Sequence, residues 1–182
     1  MVCAQAVGVL SPEQEEILSH MSIVELPVDV FGNSVRTIRF SGVNVQVVNG
    51  TGATDGPGNG HGNLVVGKAN NYSSWGGQVV GERNPLSGYL SIVSGGYGNT
   101  ASGRHSMVSG GVGNTARGER STVGGGGRNT AAGEWCVVSG GNDNTASGIA
   151  DTVGGGWQNE ASGDNSTVSG GLKISHRGAA RR

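Results

Sequence analysis

The most constraining feature of the sequence is a fifteen-residue repeat that runs without a slip from residue 92 to residue 171. Its rows read IVSGGYGNTASGRHS, MVSGGVGNTARGERS, TVGGGGRNTAAGEWC, VVSGGNDNTASGIAD and TVGGGWQNEASGDNS, followed by TVSGG. A short fixed period indicates a solenoid, in which each unit buries its apolar side chains only against its neighbours. The repeat therefore predicts a stack of similar coils.

Each row has two halves, Val-x-Gly-Gly-x-x-Asn and Ala-x-Gly, and each half is typical of a short strand followed by a turn. Because side chains alternate across a strand, one valine and one alanine of every coil are predicted to face inward. The glycines and the asparagine are interpreted as the left-handed residues of the turns. A flexible linker is the alternative, but it needs no valine or alanine at fixed offsets. The predicted core ladder comprises Val93, Val108, Val123, Val138, Val153, Val168, Ala101, Ala116, Ala131, Ala146 and Ala161.

The predicted fold class is all-β, a parallel β-roll or β-solenoid of fifteen-residue coils with a small N-terminal helix-hairpin cap. A capping box at Ser11 and Gln14, with Pro12 in the first helical position, predicts a short helix through about His20. Two alternating segments, residues 22–26 and 34–40, predict a hairpin that covers the open edge of the first coil.

The sequence predicts four regions. Residues 1–42 form the cap, 43–62 a first irregular coil and glycine-rich loop, 63–176 the repeats, and 177–182 a basic tail. The rod begins near residue 63, or near Val43 if residues 43–47 form an oversized first coil.

Composition excludes several classes of protein. The 37 glycines follow no Gly-X-Y period and the prolines number only 4, which excludes collagen. A formal net charge of -1 gives no reason to expect a nucleic-acid partner, and no apolar stretch is long enough to span a membrane. Residues 4–6, Ala-Gln-Ala, fit the small-residue pattern before a signal-peptide cleavage site, so a start further upstream is one interpretation.

No catalytic, cofactor or metal site is predicted, and the chain is not expected to be an enzyme. The segment 62–69 nearly matches a phosphate-binding loop, but Ala69 lacks the required hydroxyl and the segment favours a strand. The histidines are scattered, and Cys3 and Cys136 are too few for a disulfide framework or a zinc cluster. Both cysteines are therefore interpreted as unpaired thiols.

The alternating Val-x-Gly and Ala-x-Gly units over residues 63–171 resemble the head-domain repeats of trimeric autotransporter adhesins. They are also similar to Val-Ser-Gly-Gly…Asn-Thr-Ala-Ser-Gly arrays of bacterial surface proteins. The resemblance implies a left-handed parallel β-roll, a homotrimer, and a location outside the cell or on its surface. The repeat departs from the family in having fifteen residues rather than fourteen, and no neck, stalk or membrane anchor is recognisable after it.

A possible subunit interface is predicted at the outward position just before each valine, which is apolar or β-branched in every coil. One valine and one alanine per coil bury little apolar area, at roughly 25 cal/mol per Å², so burial against another subunit is expected to help. An ordinary exposed stripe favoured by strand propensity is the alternative. The predicted interface ladder comprises Ile92, Met107, Thr122, Val137, Thr152 and Thr167.

The predicted function is a structural or adhesive head or spacer module of a bacterial surface adhesin or fibre, without catalysis. Exposed turns are where a solenoid displays variable side chains, so Tyr97, Trp135 and Trp157 are candidate contacts to a glycan or protein ligand. One alternative is a carbohydrate-binding segment of a phage or secreted trimeric fibre. A more distant one is an ice-binding solenoid, although apolar residues interrupt the threonines of the interface ladder.

Overall fold

A computed structural model describes residues 10–27, 34–42, 63–74 and 76–177 of the chain. The chain divides into two compact units, Met1–Gln46 and Val47–Arg182, which are described separately below. Cys3, the predicted irregular coil at residues 43–62 and all but the first residue of the predicted basic tail lie outside the described residues.

The N-terminal unit contains one helix and one hairpin. Helix α1 (Pro12–Ser19) opens with the predicted capping box, because Ser11 Oγ accepts from the Gln14 amide at 3.2 Å and Gln14 Oε1 accepts from the Ser11 amide at 2.8 Å. Strands β1 (Met21–Pro27) and β2 (Ser34–Phe40) pair antiparallel. The predicted helix and hairpin are therefore confirmed, whereas the covering of the first coil stays a prediction.

The second unit is a β-solenoid of about seven parallel coils, which confirms the predicted fold class. Most coils contribute one short strand to each of two parallel sheets. The eight-stranded valine sheet contains β3 (Leu64–Lys68), β4 (Gln78–Glu82), β5 (Ile92–Val93), β7 (Met107–Val108), β9 (Thr122–Val123), β11 (Val137–Val138), β13 (Thr152–Val153) and β15 (Thr167–Val168). The six-stranded alanine sheet contains β6 (Thr100–Ala101), β8 (Thr115–Ala116), β10 (Thr130–Ala131), β12 (Thr145–Ala146), β14 (Glu160–Ala161) and β16 (Ser175–His176).

A third line of parallel contacts runs along the turn that follows the valine sheet. Single bridges connect the residue after each glycine pair, or after the single Gly81 in the first case, with its equivalent in the next coil. The sequence predicted two strands per coil, and this ladder is an addition to them. Its members are Glu82, Tyr97, Val112, Gly127, Asn142, Trp157 and Leu172.

The length of the coil changes near the start of the rod. Val65 pairs with Val79 and Val79 with Val93, which are steps of fourteen residues, whereas Val93 pairs with Val108, a step of fifteen. Glu82 nevertheless bridges to Tyr97, fifteen residues on. The additional residue of the later coils therefore lies between the buried valine and the second glycine of the pair.

The interior is narrow and closely packed. Every valine and alanine of the core ladder is buried: Val168 keeps 3% of its surface exposed and the others 0%. Leu86 continues the alanine column toward the N-terminus and Val79 continues the valine column. Each side chain stacks on its equivalent in the next coil, since the two sheets pair in register.

The turn chemistry differs from the sequence-based interpretation. The second glycine of the pair has the expected positive φ, as at Gly111 (φ 86°), but the later glycine, such as Gly118, does not. A Cβ at Gly118 would lie 1.9 Å from the carbonyl oxygen of Gly133, so close stacking of backbones requires that glycine. The repeated asparagine is not left-handed either, and the left-handed residue is the one before it, as at Arg128 (φ 53°).

Candidate functional site

The repeated asparagines form a buried ladder inside the rod. Asn129 Oδ1 accepts from the backbone amide of Asn144 at 3.0 Å, and its Nδ2 donates to the carbonyls of Gly125 and Gly141, both at 2.8 Å. Equivalent bonds recur in each coil, and the side chains of the column are 0% to 1% exposed. Because these amides satisfy backbone groups of two coils, they hold the rod together and are not available to a ligand. The ladder comprises Asn84, Asn99, Asn114, Asn129, Asn144 and Asn159.

A second polar column fills the interior beside the valines. Its members are Ser91, Ser106, Ser121, Cys136, Asp151 and Ser166. Cys136 Sγ donates to the Gly148 carbonyl at 2.9 Å, and burial raises the pKa of this thiol above its usual range. Asp151 accepts from the amides of Gly148 at 2.7 Å and Ser166 at 2.8 Å. Both side chains are buried and hydrogen-bonded to the backbone, so neither is accessible as a nucleophile or an acid.

The outward positions of the valine sheet carry no charged side chain over six coils. We call this surface the charge-free face, and it consists of the interface ladder and the exposed residue that follows each valine. The ladder residues are half-buried in the single chain, except for the exposed Thr167, and the following residues are all serine or glycine. The charge-free face comprises Ile92, Ser94, Met107, Ser109, Thr122, Gly124, Val137, Ser139, Thr152, Gly154, Thr167 and Ser169.

The three predicted ligand contacts lie on two different edges of the rod. Tyr97 (43% exposed) and Trp157 (50%) belong to the same ladder on the first edge, which follows the valine sheet. They are four coils apart, or about 19 Å at a strand spacing of ~4.8 Å. Trp135 (50% exposed) lies on the second edge, which follows the alanine sheet. A single small ligand, such as a mono- or disaccharide, therefore cannot contact all three aromatic residues.

Trp135 is the centre of a side-chain network on the second edge. The Arg120 guanidinium carbon lies 4.6 Å from the indole centroid, a cation–π distance. Arg120 Nη1 is 3.0 Å from Glu119 Oε1 and 3.9 Å from Glu134 Oε1, while the indole Nε1 donates to Glu134 Oε1 at 2.7 Å. These side chains are about half exposed, so the network fixes the indole without covering it.

Charge is segregated along the rod, although the net charge is nearly zero. Between residues 83 and 128 there are five arginines and one acid, whereas residues 129–165 contain five acids and no lysine or arginine. The sequence shows this separation directly, but the whole-chain charge of -1 conceals it. Asp151 is buried, so the surface presents a basic half with five arginines followed by an acidic half with four acids.

No family model, curated protein or solved structure matches the chain. Within the described ranges, no group of three or more His, Cys, Asp or Glu side chains lies close enough to hold a metal ion. In that same part of the chain, no helix has the length and apolar character needed to cross a membrane.

Sequence reasoning missed two features that the aligned rows contain. The rows show that Tyr97 and Trp157 share one position and Trp135 another, which already places them on separate edges. They also show the two charge blocks. The asparagine ladder could not be found in this way, because asparagine is equally typical of left-handed turns.

Proposed function

We propose that the chain is a non-catalytic structural and adhesive module, a head or spacer of a bacterial surface adhesin or fibre, that acts as a homotrimer outside the cell. The fold supports a structural role, because coils stacked through paired backbones and a buried asparagine ladder form a stiff scaffold whose edges can vary freely. The repeats also resemble those of trimeric adhesin heads.

The observation that carries the proposal is the charge-free face. In a parallel symmetric trimer, identical side chains from three subunits meet around one axis. A charged residue there would face two copies of itself, and like charges in contact are unfavourable. The ladder from Ile92 to Thr167 meets this requirement over about 24 Å, given ~4.8 Å per coil. All charged side chains of these coils that point outward lie on other surfaces.

Sedimentation of two matched variants tests the trimer. Thr122→Lys puts a charge on the charge-free face, and Thr130→Lys puts the same charge on the alanine sheet of the same coil, at an equally half-buried position. We expect a trimer for the wild-type chain and for Thr130→Lys. For Thr122→Lys we expect association at least tenfold weaker, which corresponds to about 1.4 kcal/mol.

A monomeric wild-type chain, or a Thr122→Lys variant that sediments with the wild type, would contradict the trimer. A separate assay of binding to host cells or to an immobilised surface distinguishes an adhesive head from a simple spacer. A carbohydrate-binding segment of a phage or secreted fibre is the alternative with the same rod.

Ice binding is a second candidate, favoured by one column of the alanine sheet. The threonines of the interface ladder lie on the valine sheet and are interrupted by apolar residues, but an unbroken threonine column lies on the opposite sheet. Glu160 ends this column, and Arg117 points outward beside it. The column comprises Thr100, Thr115, Thr130 and Thr145. Thermal hysteresis of the wild-type chain that is lost in Thr130→Lys would favour this function.

A further inference from the structure

Where the basic half of the rod meets the acidic half, the second edge combines unpaired positive charge with a fixed aromatic ring. We propose that this surface, the basic edge formed by Arg104, His105, Arg117, Arg120 and Trp135, binds a saccharide chain that carries carboxylate or sulfate groups. The inference rests on the proposed role as an adhesive module and names the class of ligand.

Two arginines supply the available charge. Arg104 and Arg117 lie in adjacent coils, on either side of the stacked glycines Gly103 and Gly118, and both are exposed. Within the described residues neither makes an ion pair, whereas the Arg120 guanidinium is shared by two glutamates. An anionic ligand can therefore pair with these arginines without displacing an existing partner.

Trp135 supplies a flat apolar surface next to this charge. One side of its ring is occupied by Arg120, and the indole nitrogen is held by Glu134. Half of the residue remains exposed. An aromatic ring presented in this way stacks on the apolar C–H face of a pyranose, and its fixed orientation lowers the conformational entropy that binding would cost.

The backbone conformation of the second edge indicates that exposed side chains there have a function. The equivalents of Trp135 (φ 61°) all have positive φ, at which glycine avoids a cost of roughly 1 kcal/mol. From residue 90 to residue 165 no glycine occupies this column, whereas Gly98 and Gly113 occupy the left-handed column of the first edge; in the shorter coil before Leu90 the equivalent residue is Gly76 (φ 63°). The residues of the second-edge column are Leu90, His105, Arg120, Trp135, Ala150 and Asn165.

The mixture of charges favours a saccharide over a nucleic acid or an acidic peptide. Glu119 and Glu134 border the tryptophan, and their carboxylates accept hydrogen bonds from sugar hydroxyls but repel closely spaced phosphates. The coils repeat at ~4.8 Å, comparable with the rise of one sugar unit in an extended polysaccharide. Acid groups on such a chain reach Arg104 and Arg117 while one ring covers Trp135.

Binding of the full chain to three polysaccharides at low salt tests the proposal. The probes are polygalacturonate, which carries carboxylates, dextran sulfate, which carries sulfates, and unmodified dextran, which is neutral. We expect binding to one or both acidic polymers and none to dextran. Trp135→Ala and Arg117→Ser should each weaken binding about tenfold, the effect of losing one contact worth about 1.4 kcal/mol. Alanine and serine already stand at these positions in other coils, at Ala150 and Ser147.

Matched variants on the first edge provide the controls. Arg128→Gly removes one positive charge and Trp157→Asn removes one tryptophan, and both introduce residues found at the same position in neighbouring coils. We expect each of these two substitutions to weaken binding by no more than about twofold, because surface residues outside a binding site contribute little. Absence of binding, equal losses in Arg128→Gly and Arg117→Ser, or equal binding of duplex DNA would overturn the proposal.

Sedimentation of the same samples separates the two proposals. A trimer that binds neither acidic polymer would overturn the saccharide site alone. A monomer whose binding still depends on Trp135 would overturn the trimer alone.

Discussion

The role of the repeated asparagine shows where prediction from single residues fails. Alternation along a strand is enough to place valine and alanine inside, because a period of two leaves no other choice. Asparagine tolerates left-handed backbone, but its amide can also pair with three backbone groups at once, as Asn129 does. Both properties belong to the same side chain, so only the path of the chain decides between them.

The left-handed positions give a prediction at the residue scale. Ala150 has φ 56°, whereas Ala132, also half-buried, does not have a positive φ. We expect Ala150→Gly to leave the free energy of unfolding unchanged or raise it by up to about 1 kcal/mol, because glycine relieves the strain of the left-handed backbone. Ala132→Gly should lower it by about 0.5–1 kcal/mol, since there glycine only adds entropy to the unfolded chain.

Chemical denaturation of the two variants measures this difference. If both glycines destabilise the protein equally, Ala150 is not in a left-handed conformation in solution. The proposed display of side chains on the second edge would then lose one of its supports.

At the scale of the coil, the change from fourteen to fifteen residues shows which part of the repeat tolerates a change in length. The additional residue lies in the turn after the valine, outside the alternating segment from asparagine to alanine. The constant spacing of the rows predicted the later coils, but it could not reveal that an earlier coil pairs in a shorter register. That register became visible only from the strand pairs.

Two single-residue deletions within one coil test this tolerance. Removing Gly110 converts Val-Ser-Gly-Gly into the Val-x-Gly pattern found at Val79. The rod should therefore keep its fold, with a free energy of unfolding lower by about 1–3 kcal/mol. Removing Thr115 places Asn114 directly before Ala116. Since neighbouring residues of a strand point to opposite sides, Asn114 and Ala116 can then no longer both face inward.

We expect the second deletion to abolish cooperative unfolding of the solenoid, as followed by far-ultraviolet circular dichroism during denaturation. Equal damage by the two deletions would show that the shorter register is confined to the start of the rod.

At the scale of the molecule, the sequence predicted the solenoid and the columns of its core, but the candidate sites only in part. Tyr97, Trp135 and Trp157 were identified as variable turn residues, yet the network around Trp135 depends on which side chains meet across adjacent coils. Glu119 and Glu134 share a position in two adjacent coils but not in the others. Arginine and tryptophan each occur once at the position of Arg120 and Trp135, so no signal sustained along the rod marks the network. Their contacts follow from the stacking of the turns.

Removal of one whole coil gives a prediction at this scale. Deleting residues 107–121 joins Ser106 to Thr122 and preserves every column. Since each coil contacts only its neighbours, the shortened chain should fold with the same type of spectrum, a lower unfolding free energy, and a denaturant m-value reduced in proportion to the lost surface. Loss of folding would indicate that this particular coil is indispensable, contrary to an additive rod.

The asparagine ladder also gives the rod a direction of growth. Each amide oxygen points toward the coil that comes later in the chain, and the last of them, on Asn159, receives the backbone amide of Ile174. A finished coil thus presents an acceptor to the segment that follows it, before that segment has any partner of its own. Folding can accordingly advance in step with a polypeptide delivered from its N-terminal end, each turn serving as the template for its successor.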